Sequence, residues 1–400
     1  MNTFKKIYCR CFQVAFRMVL PVLPYRNPEV HDKISDIPAL LKKENLSNPL
    51  IITDQTLSSI GATNTLQNIL TENGIGYALF DGAFPNPTTA LARQASSFYQ
   101  EKKCDGLIAF GGGSPMDLAK AVGVLLARPG KPLERFAGIL KVRRKLPVLI
   151  AIPTTAGTGS ETTLAAVLID GNTRHKFAIN DFPLIPKYAV LDPSTIHTLP
   201  SHIAASTGLD ALTHAVEAYI GRSTMKQTRA DAENAVKLIF ENFDAAVNHE
   251  NTDAESAMLK ASHYAGRAFT RSYVGYIHAV SHSLSGKYDL PHGWTNAVLL
   301  PLILKRYGAA VHHKLAQLAL VAGMGETSDT EADLAGKFIA AIEEKNQRYN
   351  IPDYIDAVKP EDIPLLASYA DKEANPLYPV PVLWNAKELE EIYREVSRSL

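Results

Sequence analysis

A change of period near residue 200 constrains this chain more than any other feature. Between residues 48 and 192, short apolar runs alternate with segments of helical spacing, and 50–54 (LIITD), 77–81 (YALFD), 106–110 (GLIAF), 148–152 (VLIAI) and 189–192 (AVLD) read as strands. Parallel neighbours need a crossover and an intervening helix supplies one, so the alternation calls for a parallel sheet. Past Pro200 the strand pattern stops. Residues 201–220, 227–248, 252–269, 276–285, 295–307, 314–321, 333–344 and 386–397 all read as helices. A chain of 400 residues exceeds one ordinary core. The expected organisation is an N-terminal arm over 1–26, an α/β Rossmann-like dinucleotide-binding domain over 27–199, and an all-α metal-binding domain over 200–400.

Charge and cysteine content exclude several classes. Lys+Arg and Asp+Glu both number 41, leaving no basic excess for nucleic acid. Cys9, Cys11 and Cys104 make neither a disulfide framework nor a zinc ribbon, which fits a reducing, cytoplasmic setting. The stretch 4–23 is apolar but interrupted by Lys5, Lys6, Arg10 and Arg17, so it is not a membrane span, and no cleavage site follows it. It reads as a helical arm packed on the protein or on a second subunit, with contact to a membrane surface as the alternative.

Two groups of residues carry chemistry. In the first half, the strand at 106–110 runs into Gly111, Gly112, Gly113, Ser114, Pro115, Met116 and Asp117 and then into a helix. Glycines admit close backbone approach to a phosphate. Ser114 is expected as N-cap, Pro115 as the first helical residue and Asp117 as the third position of a capping box, with the open helix end facing an anion. A plain strand-to-helix turn is the other reading. Asp54 ends the first strand, where open α/β sheets place ligands; its carboxylate suits ribose hydroxyls and repels a 2′-phosphate. Thr154, Thr155 and Thr158 follow a further strand with Gly157 and Gly159. Several polar loops at strand ends favour a dinucleotide over a lone phosphate.

In the second half, Asp210 and His214 stand four apart on a helix, as do His278 and His282, and His292 sits in a Pro-His-Gly turn. Spacing of four places both side chains of a pair on one helix face. One carboxylate with several imidazoles suits a divalent first-row ion, zinc or Fe(II). A lone histidine is more often a satisfied core or surface residue; three such features in one domain point to a metal. The remaining histidines carry no such pattern.

These segments together resemble the iron-containing (group III) alcohol dehydrogenase family, from about residue 48 to the C-terminus. The residues carrying the resemblance are Pro85-Asn86-Pro87-Thr88, 111–114 with Asp117, 154–161, 207–219 (TGLDALTHAVEAY) and 278–293. The resemblance implies a metal-dependent alcohol dehydrogenase or aldehyde reductase, probing small primary alcohols, diols or aldehydes with NAD rather than NADP, and a homodimer. It implies that Asp210, His214, His278 and His292 ligate one metal, Fe(II) before Zn. Asp54, Asn86, Gly112, Gly113, Ser114, Thr154, Thr155, Thr158 and Lys176 would then touch the cofactor, with Asp117 beside them. His282 matches a histidine that helps move the proton, and Phe269 an aromatic residue near the nicotinamide. The arm lies outside the pattern, Ser283 replaces a frequent proline, and Leu164-Ala165 replaces a frequent Pro-Phe pair, so substrate preference is open. Two rivals stand beside this reading: a dehydroquinate-synthase-type lyase on the same fold, which needs a Lys/Arg cluster that these motifs lack, and a non-catalytic metal- or nucleotide-binding protein.

Overall fold

The strand–helix alternation folds as a twisted parallel sheet in the computed structural model of the protein, which describes residues 1–171 and 176–397. The chain divides into two units. One comprises Pro24–Leu199 with Asn251–Leu259; the other comprises Met1–Leu23, Pro200–Glu250 and Lys260–Leu400. Helix α1 (Thr3–Val19) opens the chain and belongs to the second, helical unit.

The α/β unit holds strands β1 (Glu29–His31), β2 (Pro49–Asp54), β3 (Ala78–Ala83), β4 (Gly106–Gly111), β5 (Gly138–Ile139), β6 (Leu149–Pro153), β7 (Ala165–Ile169), β8 (Lys176–Asn180) and β9 (Tyr188–Val190). Between them run α2 (Ile37–Lys43), α3 (Gln55–Ser59), α4 (Asn64–Glu72), α5 (Thr89–Glu101) and α6 (Gly113–Ala127). The main sheet has the order β1-β9-β6-β4-β2-β3 and is parallel throughout. From β2 the chain steps outward to β3 and then returns to β4 on the other side of β2. That reversal opens a crevice at the carboxyl ends of β2 and β4, where such sheets take ligands. Both strands are covered on both faces, so they read as unbroken apolar runs. Leu50, Ile52, Leu107 and Ala109 pack into one layer, and Ile51, Ile108 and Ile150 into the other.

Where structure and sequence reading differ, the reasons are local. The third strand lies at Ala78–Ala83 and the last at Tyr188–Val190, each displaced from the apolar run by backbone pairing with a neighbour. β1 is three residues long, too short to show a period, and exists because it pairs with β9. β5, β8 and β7 form a separate small sheet in which β7 and β8 are antiparallel. The N-cap of α6 is Gly112, with no side-chain cap, rather than Ser114. Asp117 therefore makes no capping box; its carboxylate accepts from Ser160 Oγ at 3.3 Å and from the Val167 amide at 3.2 Å.

Past Pro200 the chain continues through α7 (Ser201–Ile220), α8 (Lys226–Val247), α9 (Thr252–Ser272), α10 (Tyr276–Tyr288), α11 (His292–Tyr307), α12 (His312–Val321), α13 (Glu331–Arg348), α14 (Ile363–Ala374) and α15 (Ala386–Val396). α14 escaped the periodicity reading because Pro360 and Pro364 bracket its start, although proline in a first helical turn is compatible with the helix. From Gly208 to Ile220 every residue of α7 is buried. A helix enclosed on all sides should be apolar all round, yet this one carries Asp210, His214 and Glu217. Those three need partners.

One buried cation stiffens the α/β unit. Lys120 of α6 is fully buried, and its Nζ donates to Ser160 O at 2.7 Å, Ser160 Oγ at 3.1 Å, Thr163 Oγ1 at 2.7 Å and Ala165 O at 2.9 Å. Burial pulls its pKa down to about 8, opposed by the nearby carboxylate of Asp117. Lys120→Met leaves those oxygens without their donor; we expect a loss of about 3 kcal/mol, read as a lower denaturant midpoint for the α/β unit.

Candidate active site

Within the helical unit, Asp210, His214 and Glu217 share one face of α7, at helical positions i, i+4 and i+7. His278 and His282 lie one turn apart on α10, and His292 is the first residue of α11. Asp210, His214, His278 and His292 each offer one ligand atom, and those four atoms all lie within 4.8 Å of one another. The Pro-His-Gly turn has a steric reason. A Cβ added at Gly293 would meet Ser206 O at 2.7 Å and Asp210 Cβ at 3.2 Å, so only glycine lets the start of α11 come against α7.

The donor set fits a divalent cation. Asn296, one turn after His292, places Nδ2 2.7 Å from Asp210 Oδ1, 3.1 Å from His292 Nε2 and 3.2 Å from His278 Nε2. The buried Asn296 Oδ1 has no hydrogen-bond partner among the described residues. A buried carboxylate and three imidazoles converging on one point are a donor set that a divalent first-row cation takes. His278 is oriented from behind, its Nδ1 2.6 Å from Glu217 Oε2, so Nε2 turns toward the cluster. Glu217 Oε1 also accepts from the Ile277 amide at 2.8 Å. Burial pushes Glu217 up to about 8, against the pull of backbone N–H donors from Gly275, Ile277 and His278. Burial, reinforced by His214, His292 and His282, holds His278 well below the usual imidazole range, which keeps it neutral as a ligand must be.

The two further residues expected here lie beside the cluster. Phe269 stacks on His214 with ring centroids 4.2 Å apart. His282 stacks on His292 at 5.0 Å, and its Nδ1 is 2.6 Å from Glu373 Oε1, which also accepts from Tyr378 Oη at 2.8 Å. Glu217, Asn296 and Glu373 were not anticipated. Glu217 and Asn296 stand at helical spacing from His214 and His292, a signal that was readable; Glu373 comes from a distant helix and gave none.

In the α/β unit, Asp54 lies at the end of β2, Gly112, Gly113 and Ser114 follow β4, and Thr154, Thr155 and Thr158 follow β6, while Asn86 follows β3 and Lys176 begins β8 of the small sheet. A Cβ at Gly112 would meet Thr155 Oγ1 at 3.4 Å, and one at Gly113 would meet Thr158 Cγ2 at 3.2 Å, so the glycine loop and the threonine loop face each other closely. Gly111 has a φ of 153°, and a Cβ there would strike Pro115 Cγ at 2.5 Å. Thr154 N donates to Gly111 O at 3.1 Å, joining the two loops. The uncapped start of α6, with Ser114 in its first turn, leaves backbone N–H groups for an anion. Asn86 adopts a left-handed φ of 57°, and its Oδ1 accepts from Lys176 Nζ at 2.8 Å. Asp54 caps α3 by accepting from the Leu57 amide at 2.9 Å. A cradle that Cβ atoms would fill, beside an uncapped helix end, fits a dinucleotide phosphate.

A doubly wound parallel α/β sheet with its switch point beside β2, accompanied by helices carrying a carboxylate–imidazole cluster, defines a metal-binding oxidoreductase class. Comparison with known proteins narrows it. Residues 30–193 match the iron-containing alcohol dehydrogenase pattern, and 204–397 match the C-terminal pattern of the Fe-containing alcohol dehydrogenase family. The 1,3-propanediol dehydrogenase of Klebsiella pneumoniae is 38% identical over 86% of this chain and 90% of its own length. The NAD-dependent methanol dehydrogenase of Bacillus methanolicus is 35% identical over 84% of this chain and 89% of its own. The alcohol dehydrogenase structure from Oenococcus oeni superposes with a TM-score of 0.88 at 32% identity, covering 93% of this chain and 100% of that one. This chain belongs to the iron-containing alcohol dehydrogenase family. Glu217→Gln should weaken metal retention about 10- to 100-fold, measured as metal content after dialysis against a graded chelator.

Proposed function

We propose that this protein transfers hydride between NAD(H) and a small primary alcohol, diol or aldehyde, using one divalent metal, Fe(II) before Zn, held by Asp210, His214, His278 and His292. The observation carrying this reading is the convergence of one carboxylate and three imidazoles from α7, α10 and α11. When bound, the metal supplies Lewis acidity at the substrate oxygen and the nicotinamide accepts or returns the hydride.

The chain's own residues supply the rest. Asp210, fully enclosed, would hold the cation through its single carboxylate, and His214, His278 and His292 would hold it through ring nitrogens. His282 is the residue we assign to proton movement: with Nδ1 held by Glu373, its Nε2 is the free proton site, and its side chain is 30% exposed, giving a way to solvent. Phe269 keeps His214 in place by stacking and offers an apolar wall to the nicotinamide. Gly112, Gly113 and Ser114 with Thr154, Thr155 and Thr158 receive the pyrophosphate; Asn86 and Lys176 act as a pair beside them. Asp117 reaches the cofactor only through the Ser160 loop it anchors. We place the enzyme in the cytoplasm as a homodimer.

Anaerobic purification, metal analysis and an alcohol and aldehyde panel followed by NADH absorbance test the reading. Net reduction of added NAD by simple alcohols supports it, and cofactor recycling without net NADH assigns the chain to the lyase class instead. In His278→Ala we expect metal and turnover to be lost while NAD still binds by calorimetry; wild-type turnover would remove His278 from the site. Asp54→Ser retains the helix cap but deletes the charge, so it should relax the preference for NAD over NADP about tenfold with little loss of stability; unchanged kinetics with both cofactors would reject the role of Asp54.

A further inference from the structure

Helix α1 is attached to the protein by a mixed side, on which Phe16 packs edge-on against Tyr273 with ring centroids 5.3 Å apart and Leu20 is buried. Cys9 and Gln13 are buried, and Gln13 Nε2 donates to Tyr378 O at 2.7 Å. Arg10 donates to Val380 O at 2.7 Å and to Pro381 O at 2.8 Å. At about 100° per residue, the opposite side carries Phe4, Ile7, Tyr8, Val14, Met18 and Val19, with no charged side chain among them. That side faces out. Phe4 is 87% exposed and Met18 69%, and Val22, in the turn that follows, is 79% exposed. The helix thus leaves a second apolar face outward, opposite the side by which it is attached. Hydrogen bonds fix the helix with its apolar face in water, an orientation that burial of apolar area opposes.

Charge says what covers that face. From residue 1 to 28 the sequence has Lys5, Lys6, Arg10, Arg17 and Arg26 and no acidic residue, although the whole chain is neutral. Lys5 is paired with Asp371 at 2.8 Å. Lys6 and Arg17 are exposed, and Arg17 donates to the carbonyl of Arg222, itself exposed, at 3.3 Å. Arg17, Arg222 and Arg229 all act on Lys314, whose Nζ is held by Tyr219 O, Ile220 O and Gly221 O, and their repulsion adds to burial in lowering it to about 8. An uncharged apolar face beside a group of cations matches a helix lying in the plane of an anionic bilayer, with side chains entering the acyl boundary and cations among the headgroups.

We propose that the outward face of α1, with Arg17 and Arg222 at its flank, docks the enzyme reversibly on an anionic lipid surface. No helix of the described residues is long and apolar enough to cross a membrane, so this contact is peripheral.

The test uses the full chain and co-sedimentation with vesicles of phosphatidylcholine alone or mixed with phosphatidylglycerol, across a salt series. Binding to the mixed vesicles is expected to exceed binding to phosphatidylcholine and to fall as salt rises. Ile7→Ser with Met18→Ser should weaken it by more than about tenfold, and Arg17→Gln with Arg222→Gln by about twentyfold. These four positions lie outside the catalytic cluster, so NAD-linked turnover in vesicle-free buffer should stay at the wild-type level and report an intact fold. Failure of the wild type to bind either vesicle overturns the proposal, as does equal binding to both. Light scattering provides the third arm: Ile7→Ser with Met18→Ser turning a dimer into a monomer, with vesicle binding unchanged, would make this face a contact between two copies instead.

Discussion

Everything at the metal cluster depends on a helix that is buried on every side and still carries ionisable groups. Charged and polar side chains in such a place must be paired or they destabilise the fold by several kcal/mol, of order 1–3 for each unsatisfied group. In α7, Asp210, His214 and Glu217 lie on one face, and the partners they find come from α10 and α11. The same constraint explains the outer layer of contacts. Glu217 is satisfied by His278 and by the Ile277 amide, and Asp210 by Asn296. These contacts set the carboxylate and the His278 ring in place.

The α/β unit solves a different problem, which is bringing backbone close to a large anion. Three consecutive glycines remove the Cβ atoms that would collide with Pro115 and crowd the threonine loop. Flexible loops alone would lose this arrangement to entropy. Lys120 counters that by donating to oxygens of the threonine loop and the start of β7, with Asp117 fastening the same loop from α6. The cradle is therefore made of permissive residues held by a rigid, buried polar bracket.

Much of this was legible in the chain. Runs such as LIITD and GLIAF are strands because both sheet faces are covered. The i, i+4 pairs Asp210–His214 and His278–His282 are local geometry that any α-helix imposes. Short-range signals also misled. Ser114 looks like a cap, yet Gly112 occupies that place, because the glycine turn begins the helix earlier. The antiparallel pair β7 and β8 has only half-buried strands, which weakens its apolar pattern, although Asp170-Gly171 after β7 is a turn signal.

The strand–helix alternation, the all-helical second half and the glycine turn after β4 were legible in the amino-acid sequence alone, since each rests on periodicities and spacings within one segment; the ligand set Asp210, His214, His278 and His292 is what the family resemblance implies. The tertiary structure decided what depends on contacts between segments distant along the chain. It chose the strand order that reverses beside β2, the approach of Gly293 to Ser206, the pairing of His282 with Glu373, and the seating of α1 on Tyr378 and Val380. Local spacing fixes which side chains share a face. Only packing determines which other face they meet, because that choice is made by burial and hydrogen bonding summed over the whole fold.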